Sequence, residues 1–266
     1  MNWNCILERV AETHSTNDDL LARWRLGSLI DPVARIARNQ TNGKGRAGRS
    51  WVAKPEDSLC FSLAYPFKRS PAELSGLSLV TGLAVITGLS EVLNLTKSEL
   101  YTNGVRLKWP NDLLLKQKKF GGILIEGGQR KAEENTWMII GIGLNLRNAT
   151  KFESELKGQE NKKVAALNEL PLGAEQLPEV DFLWLKLIES LEKYLRKFDV
   201  EGFSSFLEEW QGWDAYVGEN VCISGIGKNP IEGIAIGVDT NGALLIQQNN
   251  KVVSILAGDV SLRGQS

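Results

Sequence analysis

The sequence has little of several residue types, with one histidine, three cysteines and two methionines in 266 residues. With His14 alone, a Ser-His-Asp mechanism, a histidine-based zinc site or a histidine proton shuttle would each have to run through one residue. Cys5, Cys60 and Cys222 lie far apart with no C-x-x-C spacing, which argues against a disulfide framework or zinc cluster and leaves them as buried small hydrophobes. Neither sign of charge is in excess: 31 basic and 32 acidic residues leave a formal net charge of −1, with no overall bias toward nucleic acid or anionic membranes. The longest apolar stretch, around Leu77 to Leu89, is broken by Ser78, Thr81, Gly82 and Thr87 and lacks the character of a membrane span. The N-terminal MNWNCILERVAETH shows no basic segment followed by an apolar core, so no signal peptide is expected and the cytoplasm is the expected address. What is present, 42% hydrophobic and 24% charged residues, is ordinary for a globular protein of one to two domains.

Residues Asn4 to Val10 read as a strand, and Ser15-Thr16-Asn17 as a helix start whose stripe of Leu20, Leu21 and Trp24 ends near Gly27. Strands are expected at Pro32 to Arg38 and Ser58 to Tyr65. Ser70-Pro71-Ala72-Glu73 combines an N-cap, a first-turn proline and a capping glutamate, predicting one long helix to about Leu95. Its Gly76, Gly82 and Gly88 would suit close packing on a sheet. Arg106 to Trp109, Leu113 to Leu115, Gly122 to Glu126 and Thr136 to Gly143 are strand-like, with a Gln117-Lys118-Lys119 turn between the second and third. Their short connections predict an α+β fold with a mixed, mostly antiparallel sheet flanked by helices, rather than repeated βαβ units. Residues 147 to 180 read as a variable loop with short helical pieces. Asp181 is expected to cap a helix through Phe182, Leu185, Ile188, Leu191, Leu195 and Phe198, followed by a shorter one through Phe203, Phe206, Leu207 and Trp210. Beyond Trp213, short strands separated by turn residues predict a small SH3-like β-barrel, dividing the chain into residues 1–212 and 213–266.

Gly43, Gly45 and Gly48 in NQTNGKGRAGRSW spell G-x-G-x-x-G, the dinucleotide-binding pattern. That pattern requires a helix after the loop and an acid about twenty residues on. Here Pro55 and a strand follow, residues 65 to 70 hold no acid, and no G-K-[ST] closes a Walker loop. What the loop does hold is Lys44, Arg46 and Arg49 among glycines, suiting either an anionic ligand such as a phosphate chain or a solvated basic turn. Arg106-Leu107-Lys108-Trp109-Pro110-Asn111-Asp112 puts a lysine at a strand end before a proline turn. If Leu107 and Trp109 shield it from water, its charge would act strongly on a phosphate. Asn145, at a glycine-flanked strand end, could hydrogen-bond an adenine edge.

Together these segments resemble the biotin protein ligases over essentially the whole chain. The family's G-R-G-R-x-G-R-x-W appears as Gly43-Lys44-Gly45-Arg46-Ala47-Gly48-Arg49-Ser50-Trp51, and K-W-P-N-D as Lys108 to Asp112. G-I-L-V-E appears as Gly122-Ile123-Leu124-Ile125-Glu126, G-x-G-x-N as Gly141 to Asn145, and S-T-N as Ser15-Thr16-Asn17. The tail, Gly237-Val238-Asp239 with Gly242-Ala243-Leu244-Leu245, is similar to the family's C-terminal barrel, and the body to its class II synthetase-like catalytic domain.

The resemblance implies activation of biotin by ATP with Mg²⁺ to biotinyl-5′-AMP, then transfer to a lysine on the biotin carboxyl carrier domain of a carboxylase. It assigns biotin contacts to Ser15, Thr16, Asn17, Gln40, Gly43, Lys44, Lys108 and Gly122. ATP or adenylate contacts fall to Arg46, Arg49, Trp51, Lys108, Asn111 and Asn145, and catalysis to Lys108, Arg46 and Arg49. Asp112 is a candidate metal contact, with turn capping as the other reading. Lys44 stands where the family commonly has arginine, which implies weaker retention of the adenylate and makes Lys44 itself a candidate for self-biotinylation. Some members carry an N-terminal DNA-binding winged helix. Ser15-Thr16-Asn17 comes too early to leave room for one, so no DNA partner is expected, no membrane partner either, and the protein is a monomer or homodimer. A lipoate- or octanoyl-type ligase of the same fold, a non-catalytic biotin or nucleotide sensor and a nicotinamide oxidoreductase are the competing readings.

Overall fold

The computed structural model describes residues 4–131, 134–155, 163–172, 177–224, 230–249, 251–256 and 261–264. Strand β1 (Ile6–Thr13) leads into helix α1 (Thr16–Leu26), capped by Ser15 and ended by Gly27 in the left-handed conformation at φ 71°. The helix crosses back so that β2 (Val33–Gln40) lies parallel to β1. After the two-residue strands β3 (Gly43–Lys44) and β4 (Ser50–Trp51) comes β5 (Ser58–Phe67), antiparallel to β2. Helices α2 (Leu77–Val92) and α3 (Lys97–Thr102) precede β6 (Val105–Lys108), β7 (Asp112–Leu115), β8 (Lys118–Gly128) and β9 (Thr136–Asn145). The sheet order is β1-β2-β5-β9-β8-β7-β6, mixed and mostly antiparallel as expected, with β1–β2 the parallel pair. The β7–β8 turn falls at Lys116 and Gln117, both at positive φ, one residue earlier than predicted.

One face of this sheet carries α2 and α5 (Val180–Glu201). Almost all of α2 from Leu77 to Leu89 is buried, which is why its sequence shows no polar stripe. Each fully buried leucine there contributes about 1.5–3 kcal/mol. Gly88 lets α2 approach Leu187 and Ser190 of α5, and Gly82 lets it approach Leu107 of the sheet. The opposite face carries α1, whose Leu20 and Leu21 cover Val33, Ala64 and Ile139.

The single long helix expected from Ser70 to Leu95 is broken. A 3-10 turn at Pro71–Leu74 ends at Gly76, whose φ of 82° starts α2 afresh. A side chain at Gly76 would strike the Phe203 ring, and Gly242 of the tail packs against the same backbone. Asp181 does not cap α5. Glu179 occupies the cap, while Asp181 in the first turn pairs with Arg9 at 2.8 Å. The buried stripe of α5 runs through Leu183, Trp184, Leu187, Ile188, Leu191, Leu195 and Phe198, leaving Phe182 half exposed. The shorter helix begins as a 3-10 turn at Phe203–Phe206 before α6 (Leu207–Gln211). Within 147–180, α4 (Ala149–Glu155) and a 3-10 turn at Leu167–Glu169 are the helical pieces described. Cys60 is buried, whereas Cys5 and Cys222 are only partly so.

The tail forms an antiparallel sheet in the order β13-β12-β11-β10-β14, built from β10 (Asn220–Ser224), β11 (Ile231–Val238), β12 (Leu244–Gln248), β13 (Lys251–Ile255) and β14 (Ser261–Gly264). This is the small antiparallel tail unit expected from the sequence; among the described residues β13 and β14 are its edges, and no pairing joins them into a closed barrel. It meets the larger sheet at β6. Leu107 donates its N–H to the Trp213 carbonyl and accepts from the Ala215 N–H, both at 2.8 Å, and Trp109 Nε1 donates to the Gly242 carbonyl at 3.0 Å. Among the described residues no helix is long and apolar enough to cross a membrane.

Candidate active site

On the face covered by α1 the side chains change character along the strands. Val33, Ala64 and Ile139 lie under the helix, but beyond its N-terminus come Cys60 and Ser62 of β5, Gly141 and Gly143 of β9 and Gly122 of β8. Small residues cannot fill the space above the sheet, and a cavity of about 940 Å³ results, in the size range of small-molecule sites. Its wall includes Ser15, Thr16, Asn17, Gln40, Lys44, Arg46, Arg49, Trp51, Lys108, Asn111, Asp112, Gly122 and Asn145. Gly43 lies just behind this wall, against the Trp51 carbonyl and the Gln40 amide. Thirteen of the fourteen residues singled out from the sequence therefore line one cavity, although they come from α1, three loops and seven strands.

One end of the cavity is neutral and tightly hydrogen-bonded. Thr16 donates its N–H to Gln40 Oε1 at 2.8 Å, and its hydroxyl lies 3.1 Å from the same oxygen and 2.7 Å from Ser62 Oγ. Ser62 donates to Asn17 Oδ1 at 2.6 Å, and Asn17 Nδ2 donates to Glu126 at 2.9 Å. Asn17 thus spends its amide behind the wall. Room for it exists because position 141 is glycine: a Cβ there would collide with Asn17 Oδ1. Ser15 accepts the Asp18 N–H as the helix cap at 3.4 Å while still lining the cavity, so capping and a ligand-facing hydroxyl coexist. Burial pushes the Cys60 thiol up to about 12, leaving it a neutral part of this wall.

The other end is cationic. Lys108, with a side chain 21% exposed, lies 3.7 Å from Asp112, which also receives Lys119 at 2.5 Å. Burial pushes the Lys108 ammonium below its usual range, Asp112 opposes that and Lys119 adds to it. Burial pushes the Asp112 carboxyl up, but Lys119 and Lys108 outweigh it and hold it low. With both lysines on it, Asp112 is an ion-pair partner. Among the described residues no group of three or more His, Cys, Asp or Glu side chains is gathered as a metal site.

The glycine loop folds as the hairpin β3–β4, not as the entrance to an α-helix. Gly45 and Arg49 close it by a 2.6 Å backbone hydrogen bond, and Ala47 and Gly48 turn it at φ 55° and 70°. Ala47, although not a glycine, adopts the left-handed region beside Gly48. Arg46 reaches Asn111 Oδ1 at 3.4 Å, and Arg49 Nε donates to the Arg46 carbonyl at 3.0 Å. Asn111 is itself held by its 2.7 Å bond to the Ile123 carbonyl, and Lys44 pairs with Asp18 at 2.7 Å. The Trp51 indole lies on a floor of Gly122 and Gly143, where a Cβ at position 143 would sit 2.5 Å from its ring. Asn145 donates to the Ala165 carbonyl at 3.2 Å, beside the Lys163–Val164 edge of the cavity.

Sequence reasoning missed Ser62, Lys119, Glu126 and Tyr216 as neighbours of the site. The two-residue period of β5 and β8, once Cys60 and Gly122 are placed, would have pointed to Ser62 and Glu126. Nothing local marks Tyr216, which the tail supplies.

Comparison with known proteins matches this arrangement. Residues 9–145 match the biotin/lipoate A/B protein ligase family and residues 216–263 the biotin protein ligase C terminal domain. The bifunctional ligase/repressor BirA of Salmonella typhimurium is 34% identical over 94% of this chain and 72% of its own length. The biotin–[acetyl-CoA-carboxylase] ligase of Mycobacterium tuberculosis is 30% identical over 96% of this chain and 88% of its own. The solved structure of the Aquifex aeolicus biotin protein ligase in complex with biotin and ATP superposes with a TM-score of 0.76 at 28% identity, covering 98% of this chain and 99% of that one. A neutral recess joined to a lysine- and arginine-lined end, on a fold shared along its length, places the chain in the biotin/lipoate A/B protein ligase family.

Proposed function

We infer that the protein is a biotin protein ligase, using biotin and ATP as substrates and a carboxylase carrier lysine as acceptor. The observation that carries this reading is the division of one cavity into a neutral, hydrogen-bonding recess and a cationic end, joined by the Trp51–Gly122–Gly143 floor. Biotin's ureido ring is uncharged and presents two N–H donors and a carbonyl, which suits Ser15, Thr16 and Gln40, with Gly43 leaving room behind. Its carboxylate chain then runs over the floor toward Lys108.

At that end the biotin carboxylate oxygen attacks the α-phosphorus of ATP. A C(O)–O–P bond forms, the Pα–O–Pβ bond breaks, and pyrophosphate leaves with the bonding pair. Negative charge builds on the α-phosphate, and Lys108 would stabilise it as a fixed cation in a largely buried site. Asp112 holds Lys108 in register, and Asn111 and Arg46 connect the phosphate end to the glycine loop. Arg49 and Lys44 add cationic groups along that loop. Trp51 offers an indole face to adenine and Asn145 an amide to its edge. Mg²⁺ arrives as part of the ATP substrate, since Asp112 is already occupied by two lysines.

In the transfer step the acceptor amine attacks the biotinyl carbon, the C–N bond forms and AMP departs with the oxygen. The amine's proton leaves to the AMP phosphate or to Lys108 when its amine is neutral, a state that burial favours. The test is biotin-dependent ATP–pyrophosphate exchange. Exchange with biotin is the expected result, and exchange with lipoate alone would overturn the reading.

A further inference from the structure

We propose that Glu126, acting through Asn17 and Ser62, fixes the donor–acceptor polarity of the recess and is a positioning residue for the selection of a cyclic urea. The inference rests on the biotin reading above and extends it to a residue that does not line the recess itself.

The proposal follows from counting hydrogens along one chain of side chains. A carboxylate carries none, so Glu126 can only accept, and Asn17 must turn Nδ2 toward it, at 2.9 Å. That choice fixes the rest of the amide: Oδ1 faces Ser62, and Ser62 spends its only hydrogen there at 2.6 Å. Ser62 Oγ is then left as an acceptor beside Thr16 Oγ1 at 2.7 Å. Gln40 is fixed from the other side, because the Thr16 N–H must meet an oxygen and finds Oε1 at 2.8 Å. The Thr16 hydroxyl hydrogen therefore goes inward, to Ser62 or to Gln40, whichever of its two partners is used. At this wall Thr16 keeps a lone pair, and Gln40, with its oxygen committed to Thr16, has only its amide hydrogens left to offer, beside Cys60 and Gly43: one acceptor and one donor in fixed order. A cyclic urea presents N–H and C=O groups side by side, the complement of that order.

Reversing Asn17 would alter the wall. Nδ2 would donate to Ser62, the Ser62 hydrogen would turn to Thr16 and take up a Thr16 lone pair, and the Thr16 hydrogen would be left with Gln40 Oε1 or the cavity. The space for this relay is built in. Asn17 and Ser62 are only 3% and 1% exposed, and Gly141, paired with Ser62 across the sheet, is the bare backbone over which the amide lies.

The test exchanges donors and acceptors at the Glu126–Asn17 contact in the 266-residue chain, read by pyrophosphate exchange with KM for biotin and for ATP measured separately. Asn17→Asp keeps an acceptor toward Ser62 but sets two carboxylates against each other, which pushes the side chain off the relay; it is expected to raise the biotin KM roughly 10- to 100-fold, with the ATP KM within about two-fold. Adding Glu126→Gln restores a donor opposite the introduced carboxylate, and the double variant is expected to recover the biotin KM to within about three-fold of the original chain. A double variant no better than Asn17→Asp, or equal rises in both KM values, overturns the proposal. Should Asn17→Asp fail to give a cooperative thermal melt, Glu126→Lys decides. A donor there turns Asn17 around, so a biotin KM raised about ten-fold supports the proposal and an unchanged one overturns it. An unmodified chain silent in biotin-dependent exchange overturns the biotin reading itself, and this inference with it. An active chain insensitive to these changes overturns the inference alone.

Discussion

The Lys44 ammonium lies 2.7 Å from the Asp18 carboxylate, tying the glycine loop to the first turn of α1. The pair joins two walls of the cavity, and its side chains are 45% and 37% exposed, so it contributes little to overall stability. Its effect falls on the loop. Asp18→Asn is expected to leave the melting temperature within about 2 °C, to speed adenylate release several-fold in a stopped-flow chase, and to raise self-biotinylation of Lys44. Peptide mass spectrometry after incubation with ATP and biotin reads the last effect. Equal Lys44 modification with and without Asp18 would show that the ion pair does not shield the amine.

Lys108→Ala is expected to lower exchange about 10²- to 10³-fold, the usual cost of removing one donor to developing charge. The pH profile follows from burial, which lowers the Lys108 pKa. The stabilising ammonium is present below that pKa and lost above it. Adenylation should therefore fall on the alkaline side earlier than for an ordinary lysine, and Lys108→Arg, always charged, should move that limb upward even at a reduced maximum.

Asp214 predicts a pH-dependent stability. Burial raises its carboxyl from 3.8 to about 6, and among the described residues its Oδ2 meets no hydrogen-bond partner. Above about 6 the folded state carries a buried charge that the unfolded chain solvates, and between about 6 and 3.8 only the folded state holds the proton. The penalty is thus full at neutral pH, on the order of 2–3 kcal/mol, and fades as the pH falls through that window. Asp214→Asn keeps the acceptor for the Tyr216 N–H. It should raise the melting temperature by several degrees at about pH 7.5 and by much less at about pH 4.5. A similar gain at both values would remove burial as the cause.

Gly143→Ala tests the floor. The new methyl would lie 2.5 Å from the Trp51 ring, and with backbone on the other side the indole must move. Exchange activity is expected to drop ten-fold or more, with a melt lowered by only a few degrees, because the change affects one wall of an open cavity. A Trp51→Ala background should absorb most of the loss.

Local signals in the sequence were reliable where backbone chemistry is local. Ser15 capping α1, Gly27 ending it and the capping glutamate at Glu73 all stand where their neighbours demand. The break at Gly76 was not legible from the helical pattern, and the neighbour that fills the space beside that glycine, the Phe203 ring, lies more than a hundred residues away in sequence. Pattern matching gathered Lys108, Arg46 and Trp51 into one site, whereas Lys119 and Glu126 were passed over. Each is a charged residue on a strand whose role depends on a partner from another element, Asp112 of the neighbouring strand in one case and Asn17 of α1 in the other. The run of small residues that opens the cavity, Ser62, Gly141 and Gly143, becomes a message only when β5 and β9 are laid side by side.

The edge position of β6 has a further consequence. Both hydrogen-bonding groups of Leu107 are taken by residues 213–215, one residue before Lys108. Any tilt of the tail sheet is transmitted to Lys108 along a single peptide unit. The amide proton of Leu107 is accordingly a built-in gauge: its exchange with deuterium reports how firmly the two sheets are engaged at each stage of turnover.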